Sequence, residues 1–291
     1  NWIFERFKLF QFSKSDYLIG RTKFIPNNNL QDIHYASSYG NKIYDTVPGT
    51  FVDAFGNEPR FPETAKFRKA KWVTHESKIP WLVLDLPEFD WKACYDEAMS
   101  VYDEAIQHRS NDYDENDPND YGHRGWRSLT LHGLGKHISQ HWDAKDVVEA
   151  GFKFNNEDEA RKAYHWTEIA DKCPKTVEMI KSIPGYFTYD RVRYMFLEPG
   201  GFITPHNDYE HDKLGPLNIS LNNPENCYFK MITDDAYVPW KPGRFIKMNV
   251  GHKHAVMNDT DEVRVHMIVH GQYGGADYEN LILNSWKKIN E

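Results

Sequence analysis

The sequence predicts a mostly β protein, an antiparallel barrel or jelly roll supported by helices from the N-terminal half. Short alternating or apolar segments follow one another between residues 191 and 270, separated by turns rich in Gly, Pro, Asn and Asp. That pattern is typical of antiparallel β proteins. Two earlier segments show apolar residues at helical spacing. Hydrophobic residues form 40% of the chain, which is enough for a packed core.

The first half of the chain supplies the helices and two strands. Trp81–Leu86 predicts a strand, and Asp90 is a suitable N-cap for a helix over residues 91–109. Trp126–Leu131 alternates enough to be a strand. A second helix is predicted over Trp166–Ile183, because apolar residues form one stripe that a Pro-Gly pair ends.

The second half is a series of predicted strands. They cover residues 191–198, 217–222, 227–232, 244–250 and 262–270. In the last strand, Arg264, His266, Ile268 and His270 share one face, because side chains alternate along a strand. A pocket-facing Arg264 therefore leaves an apolar opposite face to pack against a flanking layer.

The predicted organisation has one main domain with two flanking segments. Residues 1–80 are irregular and predict an N-terminal extension packed on the core. Residues 81–275 form the β domain with its flanking helices, and residues 276–291 a C-terminal tail. The acidic stretch 111–120 predicts a solvated loop, because it lacks the ligand spacing of a calcium site.

Charge and composition exclude several classes of protein. Lys+Arg 35 against Asp+Glu 43 gives a net charge of −8, which argues against a nucleic-acid partner. No apolar run approaches the about 20 residues of a membrane helix. Three scattered cysteines predict neither a disulfide framework nor a zinc knuckle, and favour a reducing, cytoplasmic location. The oligomeric state is left open.

A group of metal-ligand residue types lies in the strand-rich half. His206 and Asp208 stand two apart, so they face the same side of a strand. His252 and His254 follow downstream. Two histidines and one carboxylate make up the facial triad that holds non-haem Fe(II) and leaves positions open for a co-substrate and O₂. These residues therefore predict an iron site.

Arg264 lies ten residues after His254, in a strand whose other residues are mostly apolar. A buried arginine needs an anionic partner, because an unpaired buried charge is costly. A dicarboxylate co-substrate would supply one in the geometry that suits a guanidinium. An internal salt bridge to Asp261 or Glu262 is the alternative.

These segments resemble a known family. The runs YMFLEPGGFITPHNDYEHDKLGPLNISL, ENCYFKM and WKPGRFIKMNVGHKHAVMNDTDEVRVHMIV, together with CPKT, are similar to the aspartyl/asparaginyl β-hydroxylase family of Fe(II)/2-oxoglutarate oxygenases. The resemblance covers residues 120–272 and is most specific in its second half. It implies a double-stranded β-helix, His206 and His254 as iron ligands, and Arg264 as the clamp for the distal carboxylate of 2-oxoglutarate. It favours His254 over His252.

Two departures from the family pattern concern the site. Vertebrate members carry no carboxylate two residues after the first histidine, whereas this chain has Asp208, which argues against halogenation. Asn218 and Ser220 stand where the family has Arg and His, residues that help hold the co-substrate or substrate anion. We therefore assign Asn218 and Ser220, with Arg264, to co-substrate binding. Arg127, on the strand leading into the barrel, is the candidate substrate contact.

The function predicted from these residues is Fe(II)- and 2-oxoglutarate-dependent hydroxylation by O₂, with release of succinate and CO₂. The expected substrate is an amino-acid residue or amino-acid-like molecule, oxidised at an unactivated C–H. One alternative is a cupin-type metalloenzyme, an isomerase or dioxygenase that does not use 2-oxoglutarate. Another is a non-catalytic β-sandwich binding module with a surface histidine cluster.

Overall fold

A computed structural model describes residues 23–25, 50–52, 81–108, 123–208, 214–232 and 236–288 of the protein. The strands are β1 (Lys23–Ile25), β2 (Thr50–Val52), β3 (Trp81–Val83), β4 (Ile106–Gln107), β5 (His123–Gly133), β6 (His165–Trp166), β7 (Tyr186–His206), β8 (Leu217–Ser220), β9 (Cys227–Met231), β10 (Ala236–Tyr237), β11 (Phe245–Met248), β12 (His254–Asn258) and β13 (Arg264–Tyr273). The helices are α1 (Trp91–Ser100), α2 (Lys145–Glu149), α3 (Glu157–Ala163), α4 (Glu168–Lys172), α5 (Pro174–Lys181) and α6 (Gly275–Lys288).

The long strand β7 belongs to two layers of a jelly roll. Its first part pairs with β13, where Leu197 lies opposite Arg264, and its last part pairs with β12, where His206 lies opposite His254. One layer therefore has the order β7-β13-β8-β11 and the other the order β7-β12-β9-β10, with every pairing antiparallel. This double-stranded β-helix confirms the fold class predicted from the sequence.

The bend in β7 requires glycine. Gly200 has a positive φ of 66°, a conformation that costs glycine little. A Cβ on Gly201 would lie 2.7 Å from the carbonyl oxygen of Glu198, so no larger residue fits. The Asn258 amide donates to the carbonyl oxygens of Leu197 and Glu198, at 2.9 and 3.1 Å. These contacts fix the point at which β7 crosses from one layer to the other.

The main apolar core lies outside the barrel, between its first layer and the helices. Val265, Met267 and Val269 of β13 are fully buried in it. Helices α1, α4, α5 and α6 contribute the buried residues Cys94, Ala98, Ile169, Met179, Ile180, Tyr278, Leu281 and Ile282. A second apolar cluster, which includes Trp126, Met195 and Phe229, lies inside the barrel. The three cysteines are buried and unpaired.

Both predicted helices are shorter than the sequence pattern indicates. The first is capped by Asp90 as predicted, but it ends at Ser100 because Ile106–Gln107 leaves it to pair with β5. The second is split at Cys173, since Pro174 lacks an amide hydrogen and disfavours a helical residue before it. Trp166, predicted as its first residue, lies in β6 instead.

Other segments extend or revise the sequence assignments. The tail predicted over residues 276–291 is helical as far as Lys288, with Tyr278, Leu281 and Ile282 in the main core. Strand β12 is absent from the sequence-based series, although it carries His254. Of the predicted N-terminal extension, β1 and β2 form a separate two-stranded ladder, and its remaining residues lie outside the described ranges. The acidic loop 111–120 also lies outside them.

Within the described part of the chain, none of the helices has the length and apolar character that crossing a membrane would need.

Candidate active site

Three predicted metal ligands come together inside the barrel. His206 ends β7, His254 begins β12, and Asp208 follows β7 by two residues. One ligand atom from each lies within 4.8 Å of the other two. The Nε2 of His206 is 3.5 Å from Oδ1 of Asp208, and the two imidazole centroids are 4.3 Å apart. Strand pairing thus places both rings side by side, with the carboxylate next to them.

Backbone contacts orient both imidazoles for metal binding. Nδ1 of His206 lies 2.8 Å from the carbonyl oxygen of Thr204, and Nδ1 of His254 lies 2.8 Å from that of His252. A carbonyl oxygen only accepts, so each Nδ1 carries a proton, and Nε2 is the nitrogen that each ring turns toward the site. Burial lowers the pKa of His254 to about 4, with a further contribution from His206, which keeps that ring neutral. The His254 ring is therefore in the form that binds a metal ion.

The candidate ligands face a cavity of about 350 Å³ between the two β layers. Asp208, whose side chain is 42% exposed, marks its open side, which we call the mouth. Phe229 stacks on His254 at a centroid distance of 5.4 Å. The cavity is lined by His108, Trp126, Gln140, His141, Arg191, Arg193, Met195, Ile203, His206, Asp208, Pro216, Asn218, Phe229, Met248, Val250, His254, Val256, His266, Ile268 and His270.

Arg264 lies behind the cavity wall and touches it through His266. Its guanidinium is 1% exposed and sits 5.0 Å from the Trp240 ring centroid. Nη1 lies 3.0 Å from Nδ1 of His266, while Nη2 has no hydrogen-bond partner in the described chain. Burial lowers the pKa of His266 well below its usual value, with Arg264 and Arg193 acting in the same direction. The neutral imidazole therefore accepts from Arg264.

The alternative partner for Arg264, a salt bridge to Asp261 or Glu262, is absent among the described ion pairs. Charge interactions on Arg264 come from Cys227, not from a carboxylate, and burial lowers the pKa of the guanidinium. A buried cation without an anion is costly to the fold. The site therefore has the electrostatic character of a place for a bound anion.

Of the other residues considered from the sequence, Asn218 lies at the cavity, whereas Ser220 and His252 lie outside its lining. Asn218 lines the cavity, and its amide donates to the carbonyl oxygen of Pro216 at 3.3 Å. Ser220 is fully buried, donates to the carbonyl oxygen of Asn222 at 2.8 Å and does not line the cavity. His252 supplies the carbonyl oxygen that orients His254 and stands outside the three-residue ligand group.

Arg127, the predicted substrate contact, is not among the residues that line the cavity. Side chains alternate along β5, so Trp126 points inward and Arg127 outward. The guanidinium pairs with Glu198 at 3.3 Å, donates to the carbonyl oxygen of Ala105 and lies over the Tyr102 ring.

The cavity also contains a basic wall that sequence reasoning did not identify as a unit. Arg191 and Arg193 project from the inner face of β7, and His266 and His270 from the inner face of the adjacent β13. The alternation in the sequence RVR was the available signal, but it did not show which face of β7 points inward. The fold supplies that information through the burial of Val192 and Tyr194.

A jelly roll that holds two histidines and a carboxylate at an internal cavity defines a class, the mononuclear non-haem metal oxygenases. A family model described as Aspartyl/Asparaginyl beta-hydroxylase matches residues 88–272. The chain belongs to this family of oxygenases.

Solved structures give weaker comparisons. A prolyl-4-hydroxylase of Pseudomonas putida is 15% identical, over 70% of this chain and 96% of that protein, with a TM-score of 0.36. AviO1 of Streptomyces viridochromogenes Tue57 is 15% identical, over 70% and 94% of the two chains, with a TM-score of 0.33. HygX of Streptomyces hygroscopicus is 10% identical, over 71% and 87%, with a TM-score of 0.33. A search of curated proteins finds no match.

Proposed function

We propose that the protein is an Fe(II)- and 2-oxoglutarate-dependent hydroxylase acting on an unactivated C–H of an amino-acid residue or an amino-acid-like molecule. The observation that carries the proposal is the ligand group His206, Asp208 and His254 at the wall of an internal cavity. A buried arginine without a carboxylate partner, Arg264, lies behind the same cavity. Iron, co-substrate and O₂ are the reactants that such a site accommodates.

The residues present fit the proposed metal ion. Two neutral imidazole nitrogens and one carboxylate oxygen are the donor set that Fe(II) takes in this class of site. The carbonyl oxygens of Thr204 and His252 orient the two rings from behind. No cysteine belongs to the ligand group, so the donor set favours iron over thiolate-seeking metals.

The residues present also fit 2-oxoglutarate. The free Nη2 of Arg264 is a donor for the distal carboxylate, and Trp240 and His266 hold the guanidinium in place. Because His266 lines the cavity, the distal carboxylate would lie against His266 and Arg264 together. Asn218 is the further neutral donor on this wall, whereas Ser220 would support its strand through Asn222.

When iron and 2-oxoglutarate are bound, O₂ consumption would decarboxylate the co-substrate to succinate and CO₂ and place one oxygen atom in a C–H bond. The protein's own residues bind, orient and exclude water. Trp126, Met195, Ile203, Phe229 and Val256 give the cavity apolar surface, which protects a reactive centre from side reactions.

A reducing, cytoplasmic location belongs to this proposal. Its support is the state of the three cysteines, which are buried and unpaired.

The alternative function is a cupin-type metalloenzyme that uses the same ligands without 2-oxoglutarate. It gives no role to a buried arginine behind the cavity, which is why we favour the oxygenase.

The deciding experiment supplies purified protein with Fe(II), ascorbate and 2-oxoglutarate under air. We expect stoichiometric iron, succinate release, and an increase of 16 mass units in one component of an amino-acid or peptide pool. Iron binding without succinate would favour the cupin-type alternative. Absence of stoichiometric iron would contradict both enzymes and favour a binding module.

A further inference from the structure

We infer that the substrate is a small molecule with a free carboxylate, and that Arg191, together with Gln140 and His141, binds this carboxylate at the mouth of the cavity. The inference rests on the proposed function, since it names the substrate class for that site. It assigns Arg191 to the substrate and leaves Arg264 to the co-substrate.

The charge of the cavity wall is opposite to the charge of the chain. The protein carries a net charge of −8, yet Asp208 is the only carboxylate among the described residues that line the cavity. Two arginines line it as well, Arg191 and Arg193. Asp208 belongs to the metal-ligand group, so it is committed to the metal. The wall therefore favours an anion through local cations, not through the field of the whole protein.

The carboxylates near Arg191 are engaged by other groups. Burial lowers the pKa of Arg191, and Tyr164, Asp190 and Glu157 act against this shift. Both carboxylates are paired with Arg161, whose Nε is 2.9 Å from Asp190 and whose Nη2 is 2.9 Å from Glu157. Asp143 also lies near Arg191, and its Oδ1 is 2.5 Å from His141. No described residue forms an ion pair or a side-chain hydrogen bond with Arg191. Arg191 thus lines the cavity of the metal-ligand group without a described ion-pair partner of its own.

The neighbouring loop adds two more donors. Nδ1 of His141 contacts Asp143, which fixes the ring and leaves Nε2 for a ligand. The Nε2 amide of Gln140 is buried without a hydrogen-bond partner in the described chain, and both residues line the cavity. Buried donors without partners are rare in folded proteins, because the loss of hydration is not repaid. A guanidinium, an imidazole and an amide together match the two oxygens of a carboxylate.

Arg191 and Arg264 lie at opposite ends of the inner surface. Arg191 pairs with His270 and Arg264 with Leu197, so six residues of β13 separate the two levels. At roughly 3.3 Å per residue, the Cα levels are about 20 Å apart. Arg191 lines the same cavity as His206 and Asp208, and the charge of Asp208 acts on it, so we assign Arg191 to the metal side of this cavity. This separation assigns the two arginines to two different anions.

The size of the cavity limits the substrate. A volume of about 350 Å³ is at the low end for ligand pockets and must hold the co-substrate as well. The space left at the mouth suits a molecule of the size of a free amino acid.

The test uses the full chain loaded with Zn(II) and saturated with 2-oxoglutarate. Because Zn(II) is not redox-active, this protein can bind ligands without turning them over. The probes are the twenty L-amino acids and their C-terminal amides, screened by ligand-observed NMR and titrated by calorimetry. The variants are Arg191→Gln, Arg191→Lys and His141→Ala, with Arg124→Gln as a matched control on an exposed side chain of β5. Circular dichroism checks that each variant is folded.

We expect at least one amino acid to bind and its amide to bind at least tenfold more weakly. R191Q should lower the affinity for the amino acid at least tenfold. H141A and R191K should each lower it less than R191Q does, and R124Q should change it by no more than twofold. The affinity for 2-oxoglutarate should be unchanged in R191Q. The inference is overturned if no amino acid binds, or if an amino acid and its amide bind equally. It is also overturned if R191Q loses affinity for 2-oxoglutarate and keeps its affinity for the amino acid. Repeating the titration without 2-oxoglutarate keeps this readout separate from the proposed function, which fails on its own if succinate is never released.

Discussion

The two faces of β13 are both buried, but they are buried against different surroundings. On the outer face, Val265, Met267 and Val269 are fully buried among apolar side chains of the helices and of β8. On the inner face, Arg264 and His266 are 1% and 6% exposed and lie beside a cavity. The same strand therefore contributes to the core on one side and to the candidate site on the other.

The outer-face residues stabilise the fold, whereas the inner-face residues are candidates for ligand binding. Burial of apolar groups stabilises the fold by removing them from water. Burial of a guanidinium with an unpaired nitrogen has the opposite effect, because its desolvation is not offset. Substitutions on the two faces should consequently change different measurements, and the following predictions are ordered by the size of the expected effect.

The largest effect is expected at the candidate metal ligands. His206→Ala removes one of three donors and should lower Fe(II) affinity by more than about 100-fold, the upper range seen when only a group behind the ligands is lost. Succinate formation should become undetectable. Iron content and calorimetric titration are the measurements. His252→Ala serves as the control and should retain iron, since the His252 side chain stands outside the three-residue ligand group; loss of iron in H252A would reassign the second histidine.

The next effect concerns the outer face of β13. Met267→Ala opens a cavity in the main core and should lower the free energy of unfolding by about 2–5 kcal/mol. Urea denaturation measures it, and 2-oxoglutarate affinity of the folded fraction should stay within twofold. Ile106→Ala, at a side chain 39% exposed, is the control and should cost less than about 0.5 kcal/mol. Equal losses in the two variants would contradict the division between the faces.

The inner face should respond in ligand binding. If Arg264 binds the distal carboxylate as proposed, Arg264→Met removes those charge-assisted hydrogen bonds and should weaken 2-oxoglutarate binding about 10- to 100-fold, or ~1.4–2.7 kcal/mol. Calorimetry with Zn(II)-loaded protein gives this value. Arg127→Met is the matched control, because that guanidinium points away from the cavity. Unchanged affinity in R264M would remove Arg264 from the co-substrate site.

The smallest effect concerns Lys247, a buried charged residue of strand β11. Lys247 is 1% exposed, and its Nζ has no hydrogen-bond partner in the described chain but lies 3.9 Å from the Tyr273 ring centroid. Burial lowers its pKa to about 7 from 10.5. Lys247→Met should raise the free energy of unfolding by about 1–2 kcal/mol, because the ring offsets part of the cost of the buried charge.

The gain in K247M should depend on pH. Below pH 7 the lysine is protonated in both folded and unfolded states, and the full cost of burying the charge is present. Between pH 7 and 10.5 the folded state binds fewer protons than the unfolded state, so the stability of the native protein rises with pH. The difference between K247M and native protein should therefore shrink from pH 6.5 to pH 10. Urea denaturation at the two pH values tests this sign.

The sequence was sufficient for the strand-rich half of the fold and for choosing the three residues that come together as candidate metal ligands. The alternation of side chains along β7 and β13, and the two-residue spacing of His206 and Asp208, are short-range patterns that depend on strand geometry alone. The early end of α1 and the break at Cys173 were harder, because pairing of Ile106–Gln107 with β5 and the constraint from Pro174 override helical spacing. The inward face of Arg191 and the outward face of Arg127 depend on which side of each strand the helices cover.

Strand β7 fixes the spacing between Arg191 and the candidate metal ligand His206. One uninterrupted strand carries Arg191 near its start and His206 at its end, with the Pro-Gly-Gly bend between them. The distance between the proposed substrate anchor and the metal is therefore set by backbone geometry, without a hinge or a loop to adjust it. With the carboxylate held at one fixed point, the carbon that reaches the metal would be the one at a fixed number of bonds from that carboxylate. Regioselectivity would then be encoded in the strand rather than in the shape of a lid.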